Sequence, residues 1–289
     1  MQSRSIEDVL TECRTLRARG IQELCLIGQD LGSYGMDIAV NSSIKEAAGF
    51  ASMLPQLLRT LSMEEGQFWV RLLYIHPDHF PEEVLDICRS DPRILPYFDL
   101  PFQHGSSAIL ARMGRRRKAE EYLALIQRIR ESLPAATIRS TFLVGFPGET
   151  EGDFEALLDF QDQARLDWLG CFTYSREENT PAYAFKNRVP KKLAAQRKRI
   201  IEERQQAIST AQMARFVATA QTVLIEERFE GDEEDKRLYL GRLACQAPEV
   251  DGAAIVLGLE AAQGAYLGKL LPCTVLRQNG FDLEVLVHP

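Results

Sequence analysis

Short apolar runs rich in Val, Ile, Leu and Phe alternate with amphipathic stretches through the first 189 residues or so, and that alternation leaves few folds open. Strands separated by helices must cross over and return in the same direction, so repeated units of this kind build a parallel sheet covered by helices. Strands are predicted at residues 23–27, 68–74, 97–100, 137–144 and 168–174. Helical periodicity occupies 5–19, 44–61, 81–89, 118–132 and 151–165. Ser5 ahead of Glu7 and Asp8 reads as an N-cap and Gly20 as a stop. Residues 37–49 lack a clear pattern, at least in their first half, and read as a surface insertion. Pro190 opens a polar helix expected to run to about Phe216 as a solvated link.

Beyond Thr219 the texture changes. Strand-like runs at 222–225, 238–242, 254–257, 265–276 and 283–287 are separated by Gly, Asp and Pro, which fits a small OB-like β-barrel. The expected organisation is therefore a partial parallel βα barrel over 1–189, a linking helix over 190–218 and a small all-β domain over 219–289.

Composition narrows the function. No apolar run approaches the ~20 residues that span a bilayer, and the first residues lack a secretory h-region, so no membrane partner and a cytoplasmic location are expected. Cys13, Cys25, Cys88, Cys171, Cys245 and Cys273 are dispersed, with no C-x2-C or other metal-ligand spacing, and no metal ligand is assigned. A formal net charge of −7 has the wrong sign for a protein gripping bare nucleic acid and suits a basic protein partner better.

In parallel βα architectures reacting groups collect at the C-terminal ends of the strands. Here those ends are polar: Gly28-Gln29-Asp30, Tyr74 to His76, Gln103-His104, Gly145 to Thr150, and Thr173-Tyr174-Ser175. Within 137–144, period-2 alternation puts Ile138, Phe142 and Val144 on one face and Arg139 and Thr141 on the other. Arg139 then points into the barrel and needs an anion, either a ligand carboxylate or an internal partner such as Asp30 or Asp99. The loop from Gly145 to Thr150 has two glycines that let main chain approach a flat ligand, or that form a plain tight turn. Helix capping alone would account for Glu149 and Thr150.

Taken together, Gly28-Gln29-Asp30 with Ser33-Tyr34-Gly35 and Asp37, Arg71-Leu72-Leu73-Tyr74, Leu100 to His104, Thr141 to Thr150, Phe172 to Ser175 with Glu177-Glu178, and Ala247 to Gly252 resemble the radical S-adenosylmethionine methylthiotransferases. The likeness runs over nearly the whole chain and makes the last domain similar to a TRAM domain. It is nearest to the RimO type, which adds a methylthio group to an aspartate of ribosomal protein S twelve. The tRNA-modifying MiaB type typically has Asn at the position of Asp30, Ser-Gly after the equivalent of Gln103, and no paired Glu at Glu177-Glu178. The last segment also counts twelve acidic against six basic residues, a balance that favours a basic ribosomal protein over tRNA.

The resemblance implies S-adenosylmethionine as cofactor, cleaved at a [4Fe-4S] cluster to a radical that takes hydrogen from the substrate carbon. It implies that Gly145, Gly148 and Glu149 run along the adenosyl group, and that Gln29, Asp30, Gln103 and Arg139 are polar contacts for the methionine portion or ribose. No catalytic residue is assigned. The family's C-x3-C-x2-C loop is expected immediately before Ser3, so the cluster ligands are expected to be absent from this chain, which looks like a fragment, a monomer inactive by itself. Leu31-Gly32 and Asn179 also depart from the family pattern. A tRNA methylthiotransferase and a non-catalytic fragment that binds a ribosomal protein are the alternatives.

Overall fold

A computed structural model describes residues 2–41, 52–228, 238–259 and 266–288. Five strands form a sheet in the order β1 (Glu23–Ile27), β2 (Trp69–Leu73), β3 (Ile94–Asp99), β4 (Thr137–Val144) and β5 (Trp168–Thr173), with β1/β2 and β4/β5 parallel. Five further strands close a small barrel in the order β10-β8-β7-β6-β9: β6 (Ala220–Arg228), β7 (Tyr239–Leu243), β8 (Ala254–Leu257), β9 (Leu270–Asn279) and β10 (Asp282–Val287). The expected α/β architecture, a partial parallel βα barrel followed by a small OB-like barrel, is the one observed.

The helices are α1 (Ile6–Ala18), α2 (Met36–Asn41), α3 (Leu54–Ser62), α4 (Glu83–Ser90), α5 (Ser107–Arg112), α6 (Ala119–Ser132), α7 (Glu151–Ala164) and α8 (Lys191–Met213). Local chemistry sets their ends. The Ser5 hydroxyl accepts the Asp8 N–H at 3.2 Å and starts α1, while Thr150 and Asp153 cap each other at the start of α7. Several boundaries move from the sequence reading. β3 starts three residues before residue 97, because Ile94 and Leu95 are buried strand residues that flank a proline. The helix expected over 44–61 is described from Leu54, and α2 and α5 were not foreseen. Residues 42–51, 229–237 and 260–265 lie outside the described ones, and with them much of the expected insertion and residue 265 of the run 265–276, whose strand is observed over Leu270–Asn279 after a turn.

The chain divides into two compact units. The first holds residues 1–73, 81–97 and 213–289, and so contains β1, β2, most of β3 and the closed barrel. Its most constrained contact is ionic. Arg71 of β2 is fully buried; its Nε donates to Glu23 Oε1 at 2.6 Å, its Nη1 to the Ala244 carbonyl at 2.9 Å, and its guanidinium lies 4.6 Å from the centre of the Tyr97 ring. The other Glu23 oxygen accepts from Arg242 of β7, which also binds Glu226. Beside this network, Asp251 Oδ2 accepts the Tyr97 hydroxyl at 2.6 Å and the Ala247 N–H at 2.8 Å. Gly252 is required there, since a side chain would strike the Phe281 carbonyl. The run Ala247 to Gly252 is thus a fastening between barrel and β3.

The second unit holds 74–80 and 98–212. In β4 burial alternates as period 2 requires: Ile138, Ser140, Phe142 and Val144 are buried, Arg139 and Thr141 half-buried. Phe142 and Phe102 both meet Phe160 of α7, at centroid distances of 5.9 and 5.8 Å. Helix α8 is not solvated all round. Ala194, Arg197, Ile201, Gln205, Ile208 and Ser209 are buried at helical spacing. Gln205 donates to the Leu166 carbonyl at 2.8 Å and Ser209 to that of Asp167 at 2.6 Å, Arg197 donates to the carboxylates of Glu149 and Glu151, and Gln161 of α7 donates to the Ile201 carbonyl at 3.0 Å. The helix ends at Met213, ahead of one 3-10 turn.

Removing one member of the Glu23 network should cost far more than removing all of it. Burial tends to raise the Glu23 carboxyl, but Arg71 and Arg242 outweigh it and hold the group below its ordinary range. Glu23→Ala leaves two guanidiniums facing each other and is expected to lower stability by about 3–5 kcal/mol in urea melts. Glu23→Leu with Arg71→Met and Arg242→Leu should recover most of that loss. A loss below about 1 kcal/mol for the single change would mean that solvent, and not Glu23, neutralises these groups.

Candidate functional site

The glycine loop lies in the second unit, between β4 and α7. Gly145 and Gly148 have φ of +77° and +85°, a region that favours glycine. A Cβ on Gly145 would stand 2.6 Å from the Ala194 Cβ, and one on Gly148 would overlap the Arg112 guanidinium. The close approach foreseen for a ligand is made on these sides by the chain itself. The Gly148 N–H donates to the Asn187 carbonyl at 2.7 Å, which ties the loop to the segment before α8.

Glu149 turns inward and organises the loop. Its Oε2 accepts the N–H groups of Gly145 at 2.7 Å and Phe146 at 3.2 Å, and its Oε1 accepts Arg197 Nη1 at 2.6 Å. His104 is wholly buried; its Nδ1 accepts the Ser106 N–H at 2.9 Å, which assigns the ring proton to Nε2, 3.5 Å from Glu149 Oε2. That distance is long for a hydrogen bond but close enough for electrostatic attraction. Burial pushes the Glu149 carboxyl up, and His104 and Arg197 together pull it down further, so it stays below the ordinary range. The capping role foreseen for the Glu149-Thr150 pair falls to Thr150 alone, and His104 and Arg197 are partners that sequence reasoning missed. His104 stood in a noted motif; Arg197 was one cation among many on a polar helix.

Two other foreseen residues share this unit. Gln103 sits at φ +73° in a bridge to β4, its N–H donating to Thr141 at 2.9 Å and its carbonyl accepting from Leu143 at 2.8 Å. Backbone pairing holds the Gln103 position whatever its side chain binds. Arg139 takes the internal option, with Nη1 at 3.5 Å from Asp99 Oδ2. Burial holds the Asp99 carboxyl above its usual range despite Arg139, as expected for so long a contact.

Gln29 and Asp30 belong to the first unit. They line a cleft of about 680 Å³ along β1, with Arg4, Glu12, Leu24, Leu26 and Tyr34 among its walls. Its volume lies within the roughly 300–1,000 Å³ of small-molecule sites. Gln29 is exposed to it. Asp30 is committed to its own turn, accepting from Gly32 N at 2.9 Å and Ser33 Oγ at 2.5 Å.

The six cysteines are dispersed over the structure. Cys13 and Cys25 adjoin the cleft, while Cys88, Cys171, Cys245 and Cys273 are buried elsewhere. Burial pushes Cys88, Cys171 and Cys273 up to about 12, far from the thiolate a metal requires. Among the described residues no group of three His, Cys, Asp or Glu could share a metal ion.

The Glu149 knot makes an acid-sensitive prediction. A carboxyl held below its ordinary value of 4.5 contributes stability that is fully present above that value and is lost as pH falls through the folded-state value. Glu149→Gln should therefore be less stable than the parent by about 2–4 kcal/mol near neutrality, from a broken buried pair. The gap should narrow below pH 4.5. Urea melts of both proteins across acid pH measure it, and a constant gap would place the carboxylate's charge outside the knot.

Residues 1–160 match the Radical SAM superfamily and residues 217–287 the TRAM domain. The chain is 42% identical over 302 residues to the "Ribosomal protein uS12 methylthiotransferase RimO" of Treponema denticola, covering 99% of this chain and 64% of that protein. The proteins of that name from Thermotoga maritima and Carboxydothermus hydrogenoformans are 40% and 36% identical, each over 98% of this chain and over 61% and 60% of their own length. The chain thus spans about six-tenths of the length of these curated relatives. It belongs to the radical SAM superfamily, is similar within it to the RimO methylthiotransferases, and carries a TRAM domain after its parallel sheet.

Proposed function

We propose that this chain is the sheet-and-TRAM portion of a radical S-adenosylmethionine methylthiotransferase acting on an aspartate of ribosomal protein uS12. The observation that carries the reading is identity of 36–42% with relatives of that name over 98–99% of the chain. S-adenosylmethionine supplies a hydrogen-abstracting radical in such enzymes, and the protein's share is to orient reactants and exclude water. In this reading Gln29, Gln103 and Arg139 are polar contacts for the cofactor. Asp30 and Glu149 are positioning residues, the first shaping the turn after Gln29 and the second fixing the peptides of Gly145 and Phe146, with Gly148 holding the loop's path. A location in the cytoplasm, a monomeric state and domain limits near 189 and 219 belong to the same reading. Among the described residues no helix is long and apolar enough to cross a membrane.

The acidic C-terminal segment suits a basic ribosomal protein. Glu230, Asp232, Glu233, Glu234 and Asp235, which the sequence offers for that contact, lie outside the described residues.

Joining this chain to the segment of the Treponema denticola relative that it does not match should give a chimera that, reconstituted anaerobically, places a methylthio group on uS12. Mass spectrometry of uS12 and of tRNA incubated in parallel reads the outcome, and modification of tRNA alone would move the chain to the tRNA-modifying branch. Gln103→Ala in the chimera should raise the KM for S-adenosylmethionine with little change in melting temperature. The present chain alone, treated with iron, sulfide and a strong reductant, is expected to make no 5′-deoxyadenosine. Production in step with bound iron would overturn the account of its cysteines.

A further inference from the structure

One face of the second unit carries a charge that the net value of −7 conceals. Arg115-Arg116-Arg117-Lys118, a run of four cations, links α5 to α6, and Arg112 closes α5 just before it. A second basic segment, with Lys186 and Arg188, precedes α8. The two meet in space. Arg112 lies over the Phe185 ring at 5.3 Å and packs against Gly148, whose N–H is bonded to the Asn187 carbonyl. Arg115 reaches His76 Nε2 at 2.7 Å, and Asp78 accepts the Arg116 N–H at 3.0 Å, so the turn is held by its backbone. Both Asp78 oxygens are thereby used, the second by the Tyr122 hydroxyl, and Glu121 accepts the Lys118 N–H at 2.9 Å.

The side chains are left over. Arg112, Arg116, Lys118, Lys186 and Arg188 are exposed and Arg117 is half-exposed, and none has an ion-pair partner among the described residues. Elsewhere on this chain exposed arginines pair readily, as Arg4, Arg14, Arg59 and Arg204 do. A concentration of unpaired cations repels itself unless it meets a polyanion.

We infer that this face binds the phosphate backbone of helical RNA. Arginine dominates it, and the guanidinium fork suits phosphate oxygens. None of the large exposed apolar residues falls within 112–118 or 185–192, so the face lacks the apolar centre that a protein partner would use and the wedge that a membrane would take up. Binding of this kind reads shape and charge with no base sequence. It is independent of the methylthiotransferase reading.

The test is fluorescence anisotropy of this chain with a labelled RNA hairpin whose stem has roughly 16 base pairs, a length that offers two successive minor grooves. Affinity should fall steeply as salt rises from about 50 to 200 mM. Arg116→Glu, Arg117→Glu, Lys186→Glu and Arg188→Glu together should weaken binding at least about tenfold and flatten the salt slope by about one unit for each phosphate that is no longer neutralised. The matching Gln set, which removes charge without adding acid, should do the same in lesser degree with an unchanged melting temperature. A control with the same charge change at Arg19, Arg59, Lys269 and Arg277, all exposed, should keep most of the affinity. Equal loss in control and test variants, or no loss in either, overturns the proposal. So does tighter binding of poly-glutamate or of phosphatidylserine vesicles than of RNA under the same conditions, which would assign the face to an acidic protein or to a membrane. Because the readout needs neither cluster nor cofactor, its failure leaves the methylthiotransferase reading untouched, and failure of that reading leaves this one untouched.

Discussion

Glu23 is a single carboxylate shared by two guanidiniums with almost no water near it, and much of the first unit rests on that arrangement. Two cations this close repel one another, and the carboxylate between them offsets that repulsion, with Glu226 as a second partner for Arg242 alone. The geometry fixes β1 against β2 through Arg71 and both against β7 through Arg242. One Arg71 nitrogen, Nη2, is buried with no hydrogen-bond partner among the described residues, and there the stacking of Arg71 on Tyr97 compensates. Such a junction is demanding rather than strong: it rejects other registers because any shift strands a charge.

The second unit repeats the device for a different purpose. Glu149 also sits buried against a guanidinium, that of Arg197, but two of its bonds go to the peptides of its own loop. A chain that bends sharply at the end of β4 exposes N–H groups with no strand or helix partner, and the carboxylate supplies the acceptors they lack. Arg197 then offsets the carboxylate, which ties the shape of the loop to the seating of α8. The shape of the loop is thus set by the chain's own groups.

What the sequence made legible follows periodicity and capping. The alternation in β4, the Ser5 cap and the five-strand count each depend on residues within a few positions of one another, and they are found as read. The family motifs were legible as strings but not as roles. The run 247–252 fastens the barrel through Asp251, and Arg71 shares Glu23 with Arg242, because their partners lie far away in the chain. The buried face of α8 was hidden for another reason. Its inward positions include Arg197, Gln205 and Ser209, and hydropathy counts these as solvent residues although backbone carbonyls and acids satisfy them inside. Asp30 and Glu149 show the same limit for function: a carboxylate in a loop is visible in the sequence, the direction it faces is not.

The separation of Glu23 from Arg242 along the chain has a consequence for synthesis. The two are 219 residues apart. At about 5–20 residues per second a ribosome takes roughly 10–40 seconds to travel from one to the other. Once Arg71 has been made, 48 residues after Glu23, the two can meet, but for the rest of the interval the second guanidinium and the barrel that carries it do not yet exist. The barrel itself closes through β8 and β10, a parallel pair that no hairpin can nucleate. The nascent protein therefore holds β1 and β2 as an unfinished surface until β10 is made, and whatever shields that surface in the meantime belongs to the cell's folding machinery.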